Sequence, residues 1–450
     1  MNLNLQNNTI LRTICFAVLI ASTTAITTLF LTNYCDSFSA LGLMAKKRLI
    51  ESPILMFVST PLFFWISAVL CRKFSPHSAG HSMRYISLAM KDVQNKPVDH
   101  DKVLTALNPR IIFIKTISSL ICSFGGGALG REGPSVHIST SFFSIIGDKF
   151  KHLAPKISLE TWIFAGSAAG IAIAFHSPIS GFAYILEKLI VLKSSKFKNI
   201  IAWIQEKIIK LKATNFLSSI IWSLVVLLVY AKIYNFSPML STSRFHFEIS
   251  VLLYLVAIMT AILCGLFAQI FKTTGDYLFV KFSSIKSNLW HLIPITGGLM
   301  VAVISSYSGI YSFSGGIFTA NEVLSSSEVL LSYSEVVGRA ANTMLSFISG
   351  CAGGLISPAI AIGAGIGSII SNITPNIDTN VFVLIGMTAF LSPILGSPIA
   401  AAIMILEITG QPIDVLPVLL CTSLISYYSF KGMNKVIEIT NKKILSYKVS

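Results

Sequence analysis

Long apolar blocks separated by short polar segments follow one another from Ile14 to Phe430. Many of them approach or exceed the roughly 20 apolar residues that a helix needs to cross a hydrocarbon core of about 30 Å. The pattern predicts an all-α polytopic membrane protein. The first block, residues 14–31, lacks a small-residue cleavage site and predicts a retained helix or, as a close variant, an uncleaved signal anchor.

Several blocks are too long for one crossing and are interrupted by glycine or proline, namely residues 162–191, 342–370 and 381–408. The interruptions predict two short or broken helices in succession. In lipid, a broken helix leaves backbone groups without partners, which is tolerated only where protein or a water-filled cavity shields them. The breaks are therefore candidate ion sites.

An internal repeat relates two halves of the chain. Residues 166–179 match residues 386–399 at an offset of 220 positions, and the match extends to Glu187 and Glu407. Upstream, residues 130–134 parallel residues 354–358 at an offset of 224. A duplicated membrane unit with breaks at corresponding positions is typical of transporters whose substrate site lies between the repeats.

These boundaries divide the chain into five regions. They are an N-terminal helix region (1–40), a first membrane repeat (41–192), a basic cytoplasmic connection (193–215), a second membrane repeat (216–430) and a short cytoplasmic tail (431–450).

Composition excludes a soluble globular protein, because 53% of the residues are hydrophobic and only 12% are charged, against roughly a quarter charged in soluble domains. The net charge of +15 comes from basic clusters beside apolar blocks, such as Lys46-Lys47-Arg48 and Arg72-Lys73. This placement indicates membrane-edge charge and a cytoplasmic C-terminus rather than nucleic-acid binding. The seven cysteines have no metal-ligand spacing, and we expect neither a cofactor nor a bound metal.

Two charges lie inside a glycine-rich segment, Gly125-Gly126-Gly127-Ala128-Leu129-Gly130-Arg131-Glu132-Gly133-Pro134. Glycines let backbone N–H groups converge on a ligand, and proline suits the first turn of a helix. The segment predicts a helix N-terminus that faces a cavity, where the free N–H groups and the positive dipole end favour an anion.

In such a site, Glu132 is a tethered anion that competes with a mobile one. The alternative is a surface ion pair between Arg131 and Glu132, with the glycines serving only helix packing. A second element of the same kind, Gly354-Leu355-Ile356-Ser357-Pro358, favours the functional interpretation because it supplies a matching helix start from the other half.

These two segments, together with the two Ser-Pro-Ile…Leu-Glu elements, resemble the signature segments of the CLC chloride channels and proton-coupled chloride transporters. The resemblance runs from about Arg72 to the end of the last apolar block. It implies a homodimer of helical subunits, each with its own anion pathway between inverted repeats built from many tilted and broken helices.

The resemblance also implies roles for single residues. Glu132 matches the family's gate, and the backbone amides of Leu355 and Ile356 match those that hold the anion. Glycines keep the pathway walls narrow, so the implied anion-binding set is Gly130, Arg131, Gly133, Gly354, Leu355 and Ile356.

Three departures from the family pattern concern the inner part of the pathway. The position of the family's anion-contacting serine falls on His81, with Ser82 adjacent as a substitute. A histidine there would become cationic near its usual pKa of about 6.5. The equal alternative is a histidine at the cytoplasmic interface that has no part in selectivity. The paired inner acids of proton-coupled members are Glu187 and Lys188 here, and lysine cannot act as a carboxylate relay. The pore tyrosine position falls on Glu438.

We therefore predict transport of an anion, with chloride expected, through a Glu132-gated pathway in each subunit, uncoupled or only weakly coupled to protons. The alternative is a proton-coupled antiporter of chloride or fluoride. A remote alternative is an intramembrane metalloenzyme that uses His137, His176 and Glu132. Short loops suggest a multi-pass protein of the bacterial inner membrane.

Overall fold

The computed structural model describes residues 9–81, 100–153, 157–193, 238–240, 242, 251–325, 330–372 and 378–449, which are mostly helical. In this part of the chain the helices are α1 (Thr9–Glu51), α2 (Pro53–Phe74), α3 (His100–Thr105), α4 (Pro109–Phe124), α5 (Glu132–Lys149), α6 (Leu159–Phe175), α7 (Pro178–Lys193), α8 (Val251–Ser283), α9 (Leu292–Ser308), α10 (Gly316–Ser325), α11 (Tyr333–Ile348), α12 (Ile356–Ser371), α13 (Thr379–Leu395), α14 (Pro398–Thr409) and α15 (Leu416–Val449). Short 3-10 turns lie at Pro76–Ser78, Asn288–His291, Ile310–Ser312 and Ile413–Val415, and two-residue strands at β1 (Gly80–His81) and β2 (Ala352–Gly353).

Helix length separates two classes. Within the described residues, six helical stretches are long and apolar enough to cross a membrane: Val18–Glu51, Pro53–Phe74, Val103–Phe124, Val251–Ser283, Asn288–Ser308 and Ile413–Met433. The apolar helices α6, α12, α13 and α14 have only 12 to 17 residues. At 1.5 Å per residue they span about 18–26 Å, less than the hydrocarbon core.

The breaks between short helices follow the predicted repeat. Helix α6 ends where His176 adopts a left-handed conformation, and α13 ends in the same way at Gly396. Pro178 and Pro398 then open α7 and α14, because proline lacks the N–H that a first-turn residue leaves unpaired anyway. The units α5–α6–α7 and α12–α13–α14 thus repeat the same local structure.

Small residues let helices within each repeat pack closely. A Cβ added at Gly166 of α6 would lie 2.7 Å from Thr140 Cα in α5, and one at Gly386 of α13 would lie 2.2 Å from Gly363 O in α12. Lipid supplies no hydrophobic drive between helices, so close backbone approach is the main source of their attraction.

Two of the predicted region boundaries fall inside continuous helices. Helix α1 runs without interruption through position 40, and α15 continues from the second repeat to Val449. The basic connection from residue 194 onward lies outside the described residues, and the five-region division stays a prediction.

Candidate functional site

The glycine-rich segment forms a tight turn between α4 and α5. Gly126 has a φ of +83°, and a Cβ there would lie 1.8 Å from the Phe313 ring. Gly127 would meet the Cys122 sulfur at 2.3 Å. Glycine is therefore required here both for the backbone conformation and for the close approach of neighbouring side chains.

The two predicted helix starts meet each other. The Gly130 N–H donates to Gly354 O at 2.8 Å, and the Gly354 N–H donates to Gly130 O at 2.7 Å. A Cβ on Gly133 would lie 2.7 Å from Gly354 Cα. The N-termini of α5 and α12 are thus in direct backbone contact, with no side chain between Gly133 and Gly354. Leu355 and Ile356, which are both buried, form the start of α12.

Glu132 is fully buried at this junction. A Cβ added at Gly130 would lie 2.2 Å from Glu132 Oε2 and 3.0 Å from Ser357 Oγ, so the carboxylate fills the space that the glycine leaves and lies near the first turn of α12. Arg131 Nε lies 3.8 Å from Glu132 Oε1. The surface ion pair that was the alternative interpretation is wrong, because neither side chain lies on an open surface.

Several buried polar atoms here have no hydrogen bond of ordinary geometry within the described residues: Glu132 Oε1 and Oε2, Ser357 Oγ and Arg131 Nε. The Glu132 carboxylate does lie close to its own amide and to the amide and hydroxyl of Ser357. Buried polar groups are paired in nearly all packed cores, and exceptions call for an explanation such as a functional role. The junction therefore has the chemistry of a site for a proton or an ion rather than that of a packed core.

Arg131 is held by helix α1. One guanidinium nitrogen donates to Cys35 O at 2.9 Å and to Ser39 Oγ at 2.8 Å. The Nε atom faces Glu132 instead, and the role of Arg131 in anion binding stays a prediction.

A cavity of about 240 Å³ lies next to the carboxylate. Its lining comes from α1, from the turn before α5 and from the starts of α10 and α12, and includes Lys46, Arg131, Glu132, Gly316, Ile317, Phe318 and Ser357. We call it the Glu132 cavity.

The predicted His81 position lies beside the second helix start. Strands β1 and β2 pair in parallel, with Gly80 opposite Ala352 and His81 opposite Gly353. The fully buried Lys115 fastens this segment by donating to Ser78 O at 2.8 Å and Gly80 O at 2.9 Å. The side chain of His81 and all of Ser82 lie outside the described residues.

Glu187 caps a helix. Its carboxylate accepts hydrogen bonds from the N–H groups of Ile399 at 2.9 Å and Ala400 at 2.8 Å, at the start of α14. The repeat-related Glu407 accepts from Ile179 at 3.1 Å and Ser180 at 2.8 Å, at the start of α7. Each residue of one cap corresponds to a residue of the other cap at the same offset of 220 positions. A two-fold relation between the halves produces such reciprocal contacts.

Lys188 caps the opposite kind of helix end. Its ammonium donates to Leu395 O at 3.1 Å and Gly396 O at 3.2 Å, at the end of α13. A cation at a helix C-terminus is favourable because the last carbonyls are unpaired and carry partial negative charge. The position at which proton-coupled members carry paired acids is therefore occupied here by two helix caps.

The residues of the metalloenzyme alternative are not gathered into a metal centre. His137 Nε2 lies 2.9 Å from Ala106 O, and His176 forms the C-cap of α6. In the part of the chain that is described, no three His, Cys, Asp or Glu side chains form a group that could hold a metal ion.

Sequence reasoning missed three buried cations that organise the site: Lys46, Lys115 and Arg339. Arg339 donates to Tyr311 O, Phe313 O and Ser314 O, which fixes the segment before α10. For Lys115 and Arg339 the available signal was a charge within an apolar block, since such residues in membrane helices mark functional or structural polar sites. Lys46 stands in the basic cluster Lys46-Lys47-Arg48, which gave no such signal.

The sequence profile of the family described as "Voltage gated chloride channel" matches residues 63–431. The chain belongs to this family. Among curated relatives, it is 24% identical over 382 residues to the H(+)/Cl(-) exchange transporter ClcA of Salmonella arizonae, covering 81% of this chain and 73% of that protein. It is 23% identical over 373 residues to ClcA of Vibrio parahaemolyticus, covering 80% and 73%.

Solved structures of the family have the same fold. A slow cyanobacterial Cl-/H+ antiporter superposes with a TM-score of 0.72 at 19% identity, over 92% of this chain and 94% of that one. A CLC-type fluoride/proton antiporter gives 0.73 at 16% identity, over 94% and 98%. The predicted fold class and family are confirmed, and the expectation of an anion-transport protein rather than an enzyme is confirmed with them.

Proposed function

We propose that this protein exchanges a small anion, with chloride as the expected one, for protons across a bacterial inner membrane. The observation that carries the proposal is the buried Glu132 carboxylate at the meeting point of two helix N-termini. Such a point attracts anions through free N–H groups and the positive dipole ends. A side-chain carboxylate there competes with a mobile anion for the same donors.

Protonation makes this competition reversible. A neutral carboxyl gains little from the helix dipoles, so a proton on Glu132 would release it from the junction and admit an anion in its place. One group would then bind both substrates in turn, which is the minimum that exchange requires. The names of the relatives matched above, all proton-coupled exchangers, favour this interpretation over uncoupled conduction.

Uncoupled conduction is the second candidate, and Lys188 favours it. With Glu187 engaged by two amides and Lys188 by two carbonyls, the inner end offers no free carboxylate at the expected position. Exchange would need protons to reach Glu132 by water or by another acid.

The deciding experiment measures proton movement in liposomes that contain the purified protein and carry an imposed chloride gradient, with the membrane potential held at zero. We expect protons to move uphill in the wild type. In Glu132→Gln, we expect proton movement to stop while chloride flux continues and loses its dependence on pH, because the amide cannot take up a proton. Repeating the flux with fluoride and nitrate identifies the preferred anion.

Glu51→Gln is the matched control, since Glu51 is exposed and pairs only with Lys47 on α1 within the described residues. Chloride flux without proton movement would replace exchange by uncoupled conduction. Absence of any anion flux from folded protein would reject transport, and uphill pumping by Glu132→Gln would reject the role of Glu132.

We also propose that the protein forms a homodimer in the membrane. Each pathway would lie within one subunit, since the two helix starts belong to one chain and hydrogen-bond to each other.

A further inference from the structure

Lys46 is a buried cation without a hydrogen-bond acceptor. It lies near the end of α1, is 5% exposed, and its ammonium has no hydrogen-bond partner among the described residues. No carboxylate of those residues comes within ion-pair distance of it. Glu322 of α10 attracts the ammonium from a longer distance, but it does not bind any of the N–H donors. A buried charge without a hydrogen-bond partner is costly, so the ammonium is suited to a negatively charged ligand.

The contact that Lys46 does make is with an aromatic ring. Its nitrogen lies 3.7 Å from the centroid of the Phe318 ring. A cation–π contact contributes about 0.5–2 kcal/mol, which offsets only part of the cost of burial and satisfies none of the three N–H donors. The ring holds the ammonium in place and leaves its donors available.

The ammonium is part of the wall of the Glu132 cavity. The volume of about 240 Å³ is several times the roughly 30 Å³ that one water molecule occupies. A monovalent anion with part of its hydration shell fits beside Glu132 in this volume. Arg131 adds a second positive charge to the same wall.

Helix α10 adds backbone donors. It begins at Gly316, and Gly316, Ile317 and Phe318 all line the cavity. The first N–H groups of a helix have no intrahelical partner and carry partial positive charge. Arg339 fixes this helix start through the carbonyls of Tyr311 and Ser314, so the donors are held in place.

We propose that Lys46 and the N-terminus of α10 form a second anion site, separate from the junction of α5 and α12, that binds a halide-sized monovalent anion inside the Glu132 cavity. The site holds the anion next to the Glu132 carboxylate and supplies it to the junction when the carboxylate leaves. This role rests on the proposed transport function; anion binding at Lys46 does not.

The test locates bromide by anomalous X-ray scattering in crystals of the wild type, Lys46→Met and Lys47→Met. We expect a bromide peak beside the Lys46 ammonium in the wild type and in Lys47→Met, and none there in Lys46→Met. Lys47 is the matched control, because it is the neighbouring lysine on α1 and its side chain is 71% exposed. A wild-type map without bromide at this position overturns the proposal.

Transport gives a second, separate readout. In Lys46→Met we expect the half-saturating chloride concentration to rise about tenfold, as for the loss of one charge-assisted contact. Lys46→Arg, which keeps the charge, and Lys47→Met should stay near the wild type. An unchanged half-saturating concentration in folded Lys46→Met overturns the supply role.

The two proposals fail in different ways. If the wild type carries no anion but bromide lies at Lys46, the anion site stands and the transport function fails. If the wild type carries chloride but no bromide lies at Lys46, the transport function stands and the second site fails.

Discussion

At the scale of single residues, the site depends on glycines, because they have no side chain at the points of closest contact. Gly130, Gly133 and Gly354 allow two helix starts to touch through their backbones, and the space beside Gly130 is the space that Glu132 fills. Two buried cations also shape the site, because Lys115 and Arg339 each hold a segment in place by donating to backbone carbonyls. These contacts hold the backbone of the two helix starts around the buried Glu132 carboxylate.

Gly133→Ala should destabilise the fold. Its new Cβ would lie 2.7 Å from Gly354 Cα, and because backbone must move to relieve this, we expect a loss of about 1–3 kcal/mol in the free energy of unfolding. Thermal unfolding in detergent, followed by tryptophan fluorescence, measures it.

Gly432→Ala is the matched control, because a Cβ there meets nothing within 4 Å and the residue lies inside helix α15. The higher helix propensity of alanine should leave this variant as stable as the wild type or more stable by up to about 1 kcal/mol. Equal stability of Gly133→Ala and Gly432→Ala would contradict the close junction.

At the scale of elements, helix ends are the functional parts of this fold. The short helices leave amides and carbonyls at their ends without intrahelical partners, and side chains from the other repeat form hydrogen bonds with some of these groups. Glu187 and Glu407 cap α14 and α7 reciprocally, and Lys188 caps the end of α13. Where the starts of α5 and α12 meet, the buried Glu132 carboxylate lies beside the first turn of α12 instead.

Removing either reciprocal cap should cost stability. Glu187→Ala and Glu407→Ala each leave two amides without an acceptor, and we expect each to lower the free energy of unfolding by about 1–3 kcal/mol. Glu187→Gln retains one acceptor oxygen and should lose less. Thermal unfolding of the three variants, with Glu51→Ala as the exposed control, gives the comparison.

The same variants separate a cap from a proton relay. If Glu187 acts only as a cap, Glu187→Gln keeps the wild-type ratio of protons to anions in liposomes. A variant of normal stability that moves chloride without protons would show instead that Glu187 carries protons.

At the scale of the whole molecule, the repeat builds one enclosed site from two halves of one chain. Residues near position 132 and near position 356 are more than 200 positions apart, yet they share hydrogen bonds and one cavity. Both helix starts belong to one chain and hydrogen-bond to each other, which supports the proposal of one pathway in each subunit.

Covalently linked dimers test this independence. A wild-type copy joined to a Glu132→Gln copy should show about half the proton movement of a linked wild-type pair, because in the proposed mechanism each subunit depends on its own Glu132. Chloride flux should continue through both copies. Loss of all proton movement in the mixed pair would indicate one pathway shared between subunits.

The membrane class, the repeat, the positions of the helix breaks and the two helix starts could all be predicted from the amino-acid sequence. Each of these depends on local chemistry: apolar length, glycine and proline placement, and the offset of 220 between matching residues. The family resemblance rested on the same segments and is confirmed by the match over residues 63–431.

The tertiary structure alone decided which groups face each other. Periodicity does not say that Glu132 is buried against the start of α12, that Glu187 caps α14, or that Lys46, read as membrane-edge charge, is enclosed beside Phe318. These contacts join residues far apart in the chain, and their partners are backbone amides, carbonyls and a ring that no local pattern marks. Their geometry follows from how the two repeats pack against each other.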